Sequence, residues 1–319
     1  MTDTTRTLAE RACYLIGVAA RAPSLHNTQP WRFTVSGDAI ELYADTSRQL
    51  AVDPDGREMI ISCGAALFGL RLAVRSLGFL AEVDLFPGPA SRLPGSAGRW
   101  PVARVRLGLA APMRADERTI LAALPHRHTR RGPFEDGPLP AGLLGQLQDE
   151  ALAEGAILSE IEPGPGREEP SGREVLSGRA AGPGHEAELM SETGRLPQRD
   201  FDLACDLGLL PADGPAPPVT AVLFTAADGE RDWLRAGQAL QRLLLCAASH
   251  WVFASLNTQP LEDTATRALI RDRLALPGAP QLLLALGVSR TSHPTARRPS
   301  AVRDRLTYLP ASTEDHHAS

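Results

Sequence analysis

Two short runs hold most of the residues able to do chemistry. The first is Arg21-Ala22-Pro23-Ser24-Leu25-His26-Asn27-Thr28-Gln29-Pro30-Trp31-Arg32-Phe33. Ser24 and Asn27 carry short polar side chains that bond to nearby backbone, so they fit a helix C-terminus or a turn. Gln29 offers both donor and acceptor atoms, and Pro30 stops the helix. Trp31 and Phe33 then face the same way on a strand. Such a polar elbow suits a flat heteroaromatic ligand whose edge carries donors and acceptors. A capped helix–strand junction with buried aromatics accounts for the same residues without a ligand. The second run is His126-Arg127-His128-Thr129-Arg130-Arg131. Its arginines and hydroxyl can surround a phosphate with charge-assisted donors, and a solvated basic loop is the competing reading. Arg297-Arg298-Pro299 adds to this chemistry only if it folds back against the 127–131 turn.

Other chemistries lack their residues. No GxGxxG and no GxxxxGK[ST] occurs, so neither dinucleotide nor P-loop binding is supported. His26, His126, His128 and His250 lack metal-ligand spacing. Ser62-Cys63-Gly64 falls inside a helical pattern, with no GxSxG elbow to expose a nucleophile. Asp53-Pro54-Asp55-Gly56-Arg57 reads as a turn that caps a helix, and Asp228, Asp232 and Trp233 as another helix start. All 33 basic residues of the 319 are Arg. Without Lys there is no Schiff-base or lysine-base mechanism, and anions fall to Arg, His and backbone N–H groups. The net charge of −5 argues against a dedicated nucleic-acid binder. Cys13, Cys63, Cys205 and Cys246 form no CxxC pair, and Cys63 and Cys246 sit in apolar helical patterns as buried thiols. No signal peptide is visible and no apolar run reaches the length of a membrane span, so a soluble cytoplasmic protein is expected.

These residues must be held by regular elements. Residues 5–22 read as a helix. Strands over 31–36 and 39–44 are joined by Gly37-Asp38, a hairpin signal. Residues 57–77 are apolar nearly all round, as a buried helix is, and Gly64, Ala65, Ala66 and Gly69 would let another helix approach closely. Strands follow at 81–86 and 102–108. A second unit starts near 115, with helices at 115–124 and 138–154, the latter with Pro140 near its start, and a strand at 156–161. Residues 162–218 are dominated by Gly, Pro, Glu and Ser and are too long for a connector, so they read as a lid or insertion. A buried strand at 219–225, an apolar helix at 230–252 and a strand at 281–287 complete the unit, and the tail after 300 is expected to fray. Both halves carry a Ser-Leu-(His)-Asn-Thr-Gln-Pro string, at 24–30 and 255–260. Two α+β halves docked through their central helices would leave a cleft between them.

Taken together, the chain resembles the FMN-dependent nitroreductase superfamily, and within it the fused Acg-type NAD(P)H nitroreductase branch. The resemblance rests on Ala22–Trp31 above all. It is supported by Arg48 with Asp53–Glu58, by Ser62–Leu67, Arg127–Arg131 with Pro133-Phe134, Ala236–Arg242, Thr258–Glu262, Pro280-Gln281 and Arg297–Pro299. It implies an α+β nitroreductase-like fold. Two tandem lobes, residues 1–112 and 113–319, would form an intrachain pseudo-dimer with one intact FMN site. Arg127, Thr129, Arg131, Arg297 and Arg298 would hold the phosphate. Pro23, Ser24, Leu25 and Asn27 would touch the ring system, with Gln29 beside them. Backbone around Ser255 and Leu256 would lie near the reactive flavin edge. The mirror site would be dead, because 5–22 lacks a basic turn and 138–161 lacks the elbow. The implied activity is hydride transfer from NAD(P)H through FMN to a small acceptor: a nitroaromatic, a quinone or an unsaturated metabolite. Two alternatives are a flavin-sequestering protein with little turnover and a flavin-dependent dehydrogenase of a biosynthetic intermediate. The partners expected are small molecules, with no nucleic acid or membrane, for a monomer or a homodimer.

Overall fold

A computed structural model describes residues 8–87, 99–130, 134–161 and 219–290, and the backbone of 306–309. The first lobe opens with α1 (Leu8–Ala19), which reaches the polar elbow through a turn. Strands β1 (Trp31–Ser36) and β2 (Ala39–Asp45) form the expected hairpin, with Gly37 at φ 57° supplying the left-handed turn residue. Trp31 and Phe33 are fully buried from β1. Helix α2 (Arg57–Ser76) follows, then β3 (Phe79–Leu85) and β4 (Arg99–Ala110). The four strands form an antiparallel sheet in the order β3-β4-β2-β1.

The second lobe contains α3 (Ala115–Ala122), α4 (Leu143–Leu152), β5 (Ile157–Glu160), β6 (Val219–Thr225), α5 (Glu230–Ser249) and β7 (Val252–Asn257). Short helices α6 (Gln259–Glu262) and α7 (Thr264–Arg273) lead to β8 (Ala279–Val288). Its sheet is antiparallel, ordered β5-β6-β8-β7. A final strand, β9 (Leu306–Leu309), crosses back and pairs in parallel with β1. The tail expected to fray therefore returns to the first sheet, where β1 offered an open edge whose backbone groups need partners.

The lobes meet where α2 crosses α5. A Cβ on Gly64 would lie 2.3 Å from the Leu234 carbonyl oxygen, and one on Gly237 would lie 1.9 Å from that of Ile61. Each glycine faces the carbonyl three residues before the other. The contact is thus two-fold in character, the geometry of an isologous dimer interface built within one chain. Gly69 performs the same service against α1, whose Ala19 Cα would sit 3.0 Å from an added Cβ. One continuous apolar core runs through the seam, from Leu15, Phe33 and Leu67 to Leu243 and Leu284. Each such fully buried side chain contributes about 1.5–3 kcal/mol. Around the seam, Arg71 bonds Glu154 (2.6 Å) and Gln238 (2.7 Å), and Arg242 pairs with Glu150 and Glu154, tying α2, α4 and α5 together.

Several expectations need correction. α4 starts at Leu143, because Gly142 at φ 77° turns the chain after Pro140. α5 ends at Ser249, and Trp251, left-handed at φ 57°, folds the chain into β7. The expected helix ran to 252, and no strand was expected at Val252–Asn257, because a short apolar run directly after an apolar helix has no period that marks it. α2 does have the length and apolar composition of a membrane span, with a mean hydropathy of 1.4, but 83% of that window is buried inside the protein. The lid expected over 162–218 lies outside the described residues.

Candidate functional site

The elbow after α1 is a strained piece of backbone. His26, Asn27 and Gln29 all take left-handed φ values, 44°, 60° and 49°. For L-residues this conformation costs on the order of 1–2 kcal/mol each, less for Asn. The surroundings hold it in place. Ser24 Oγ accepts from the Gln29 N–H at 3.0 Å, and Thr28 Oγ1 donates to the Leu25 carbonyl at 2.9 Å. Arg48 Nη1 donates to the carbonyls of Thr28 (3.2 Å) and Gln29 (3.1 Å). Ser62 Oγ accepts from Leu25 N–H at 3.2 Å and donates to the Glu58 carbonyl at 2.8 Å, which ties the elbow to α2. Ser62 is thus a brace rather than a nucleophile. Strain maintained by so many bonds is typical of a ligand-facing segment.

The basic turn lies against this elbow. Arg127 is 7% exposed, and its Nη2 donates to the Arg21 carbonyl at 3.2 Å. The turn is also pinned to β7. Thr129 bridges Ala254 in parallel, the Arg130 N–H donates to the Ala254 carbonyl at 2.8 Å, and the His128 ring packs 4.3 Å from that of Phe253. Arg130 Nη1 is directed to Ser289 Oγ (2.6 Å), a structural bond.

Between the two runs lies a cleft continuous with solvent. Pro23, Ser24, Leu25 and Asn27 line it from the elbow, Arg127 and Thr129 from the basic turn, and Leu256 from β7. Gln29 stands behind this layer. It is 3% exposed, and its Nε2 donates to Asn27 Oδ1 at 3.3 Å, fixing that amide. Ser255 is buried in β7 next to Leu256 and is not part of the lining. Arg131, Arg297 and Arg298 lie outside the described residues.

The sequence reading missed the lining from the central helices. Glu58, Ile61 and Ser62 of α2, Leu240 of α5 and Leu282 of β8 all face the cleft, as do His26 and Thr258. Glu58 had been absorbed into a helix start. Asp53 does make that cap, its two oxygens accepting the Glu58 and Met59 N–H groups at 3.1 and 2.9 Å. A carboxylate entering a helix apolar on every side was the available signal. Glu58 is 3% exposed, and burial pushes its carboxyl up to about 7, helped by Asp53 and Glu262 and opposed by Arg57. Arg57 pairs with one Glu58 oxygen and donates to Gln281 Oε1 at 3.1 Å. Gln281 Nε2 continues to Thr225 (2.9 Å) and Asp228 (3.2 Å), and Asp228 meets Arg267 at 3.2 Å. This buried polar chain fixes the N-terminal end of α2 to the second sheet.

The donors and surfaces suit an amphiphilic ligand. Arg127 and Thr129 offer positive charge and a hydroxyl to an anion. Ile61, Leu240, Leu256 and Leu282 offer apolar surface to a flat ring system, and Ser24 and Asn27 offer polar atoms to its edge. Among the described residues no group of His, Cys, Asp and Glu is placed to hold a metal.

No family model matches the chain. It is 32% identical over 303 residues to "Putative NAD(P)H nitroreductase Rv3131" of Mycobacterium tuberculosis, covering 88% of this chain and 85% of that one. It is 27% identical over 325 residues to "Putative NAD(P)H nitroreductase acg" of the same organism, covering 94% and 96%. Among solved structures, a nitroreductase with bound FMN from Desulfitobacterium hafniense is similar, with a TM-score of 0.40 and 16% identity, covering 60% of this chain and 98% of that one. A "putative nitroreductase" from Anabaena variabilis has a TM-score of 0.49 and 11% identity, covering 79% and 69%. With a relative this similar along most of both chains, the chain belongs to the nitroreductase superfamily, beside the NAD(P)H nitroreductase relatives of Mycobacterium tuberculosis.

Proposed function

We propose that this protein binds FMN in the interlobe cleft and acts as an NAD(P)H-dependent oxidoreductase on a small acceptor, such as a nitroaromatic, a quinone or an unsaturated metabolite. One observation carries the reading: the arginine turn of the second lobe and the strained elbow of the first line the same cleft. The names of the relatives and of FMN-bound members of the superfamily support it. FMN, when bound, supplies reversible hydride storage between NAD(P)H and the acceptor.

The chain's own residues supply binding and order. Arg127 and Thr129 hold the phosphate, and by resemblance Arg131, Arg297 and Arg298 join them. Arg127 is already desolvated and already braced on the Arg21 carbonyl, so little ordering is needed when an anion arrives. Ile61, Leu240, Leu256 and Leu282 exclude water from the ring faces. Ser24 and Asn27 orient the ring edge, and Gln29 keeps the Asn27 amide in place. No side chain is needed as nucleophile, in keeping with Ser62 being engaged at both hydrogen-bonding positions. The protein would work in the cytoplasm, as a single chain or a homodimer.

The test is direct. Purified protein should be yellow, should release FMN on denaturation, and should bleach when NADH or NADPH is added without oxygen. A protein that stays colourless after FMN addition refutes the reading. One that holds FMN but is reduced by neither nucleotide sequesters flavin instead.

A further inference from the structure

The flavin contacts proposed above leave the carboxyl group of the cleft lining without a role. Glu58 lines it from the first turn of α2, yet its side chain is almost wholly buried. One carboxyl oxygen is taken by Arg57, and among the described residues no further hydrogen bond is made to this carboxyl. Glu58 shares the cleft lining with Ser24, Leu25 and Ser62. A carboxyl group at a binding surface with an oxygen to spare rewards a cationic or hydrogen-bond-donating partner. Ser62 cannot serve, because it donates to the Glu58 main chain.

We infer that Glu58 determines acceptor specificity, selecting electron acceptors that carry a positive charge or a hydrogen-bond donor and disfavouring carboxylates. This inference rests on the proposed oxidoreductase reading and names its substrate class. Its neighbours from other elements shape the effect. Asp53 precedes α2, Glu262 of α6 faces it beside His26 at 3.9 Å, and Arg267 of α7 lies on the far side of the polar chain. The acidic neighbours and burial hold the Glu58 carboxyl near 7, against the pull of Arg57. Its negative charge therefore develops across neutral pH, and the preference for cations should strengthen as pH rises from 6 to 8.

Three probes of one shape separate charge from fit: 4-nitrobenzylamine, 4-nitrobenzyl alcohol and 4-nitrobenzoate. Their dissociation constants are read from the perturbed visible spectrum of oxidised, FMN-loaded protein, with no turnover. The ratio of the benzoate constant to the benzylamine constant should exceed one at pH 8 and shrink at pH 6. In Glu58→Gln the ratio at pH 8 should fall by about tenfold or more, as expected for a charge-assisted contact, and its pH dependence should vanish. An unchanged ratio in Glu58→Gln overturns the inference. So does a pH dependence that survives the substitution. If Glu58→Gln does not fold, the wild-type ratio at the two pH values decides alone, and a flat ratio is refutation. If the protein takes up no FMN, the oxidoreductase reading fails separately. The same probe pair followed by calorimetry on the flavin-free protein still reads Glu58.

Discussion

Among the described glycines the closest approach is at Gly237, in the α2–α5 crossing, and Gly237→Ala tests it. The added methyl would meet Ile61 O at 1.9 Å, Ile61 C at 2.8 Å and Ala65 N at 2.9 Å. All three are backbone atoms, so no side chain can swing aside. Relief requires the helices to part by roughly 1 Å, and a gap of that order forfeits a quarter or more of the dispersion across it. A buried aliphatic side chain makes about 50 contacts of roughly 0.15 kcal/mol; losing a quarter of the half that crosses a seam costs about 1 kcal/mol. Applied to Ile61, Leu234 and their neighbours, this totals about 3–5 kcal/mol, the upper end of overpacking penalties. Alanine's better helix propensity returns about 1 kcal/mol, for a net loss of about 2–4 kcal/mol. The matched control is Gly145→Ala in α4, where an added Cβ meets nothing within 4 Å; it should stabilise by about 0.5–1 kcal/mol. Equilibrium urea unfolding, followed by far-UV circular dichroism and tryptophan fluorescence, measures both. Because Ile61 and Leu240 also line the cleft, FMN affinity should weaken in Gly237→Ala and hold in Gly145→Ala. Two variants within about 1 kcal/mol of each other would refute the close-contact reasoning.

Arg127→Ala should weaken FMN binding by about 1.5–3 kcal/mol, the range for a charge-assisted hydrogen bond, measured by flavin fluorescence titration; unaltered affinity would remove Arg127 from the phosphate assignment. Arg57→Ala should destabilise the fold by about 3–5 kcal/mol at pH 8, because it leaves the Glu58 carboxylate buried beside an unmet Gln281 carbonyl. The loss should be smaller at pH 5, where Glu58 is protonated. Glu58 also sets a pH dependence of its own. Its carboxyl titrates near 7 in the folded chain rather than at an ordinary 4.5, so the folded state binds the extra proton. Stability should therefore fall as pH climbs from about 4.5 to 7, by about 3 kcal/mol at most. The difference between wild type and Glu58→Gln isolates this slope in urea titrations at several pH values, and parallel curves would contradict it.

Much of this protein was legible from local residue pattern. The small-residue stripe of α2 announced a close helix crossing, because only glycine and alanine let two backbones touch. The Gly37-Asp38 hairpin, the capping Asp53 and the buried β6 strand are likewise short-range consequences of side-chain shape. The elbow and the basic turn stood out through the family resemblance, because on residue chemistry alone a capped junction and a solvated basic loop account for the same side chains. Tertiary structure alone decided that these two runs, about a hundred positions apart, meet at one cleft, since that depends on how α2 packs on α5. It also brought Glu58 to the cleft wall. Read locally, that carboxylate is an ordinary first-turn residue favoured by the helix dipole; only tertiary packing buries it and so changes its chemistry. β7 was concealed because an apolar run after a helix has no period of its own, and β9 because its partner strand belongs to the other half of the chain. Composition and spacing specify what a segment can do; which segments share a desolvated space is settled by packing over long sequence separations.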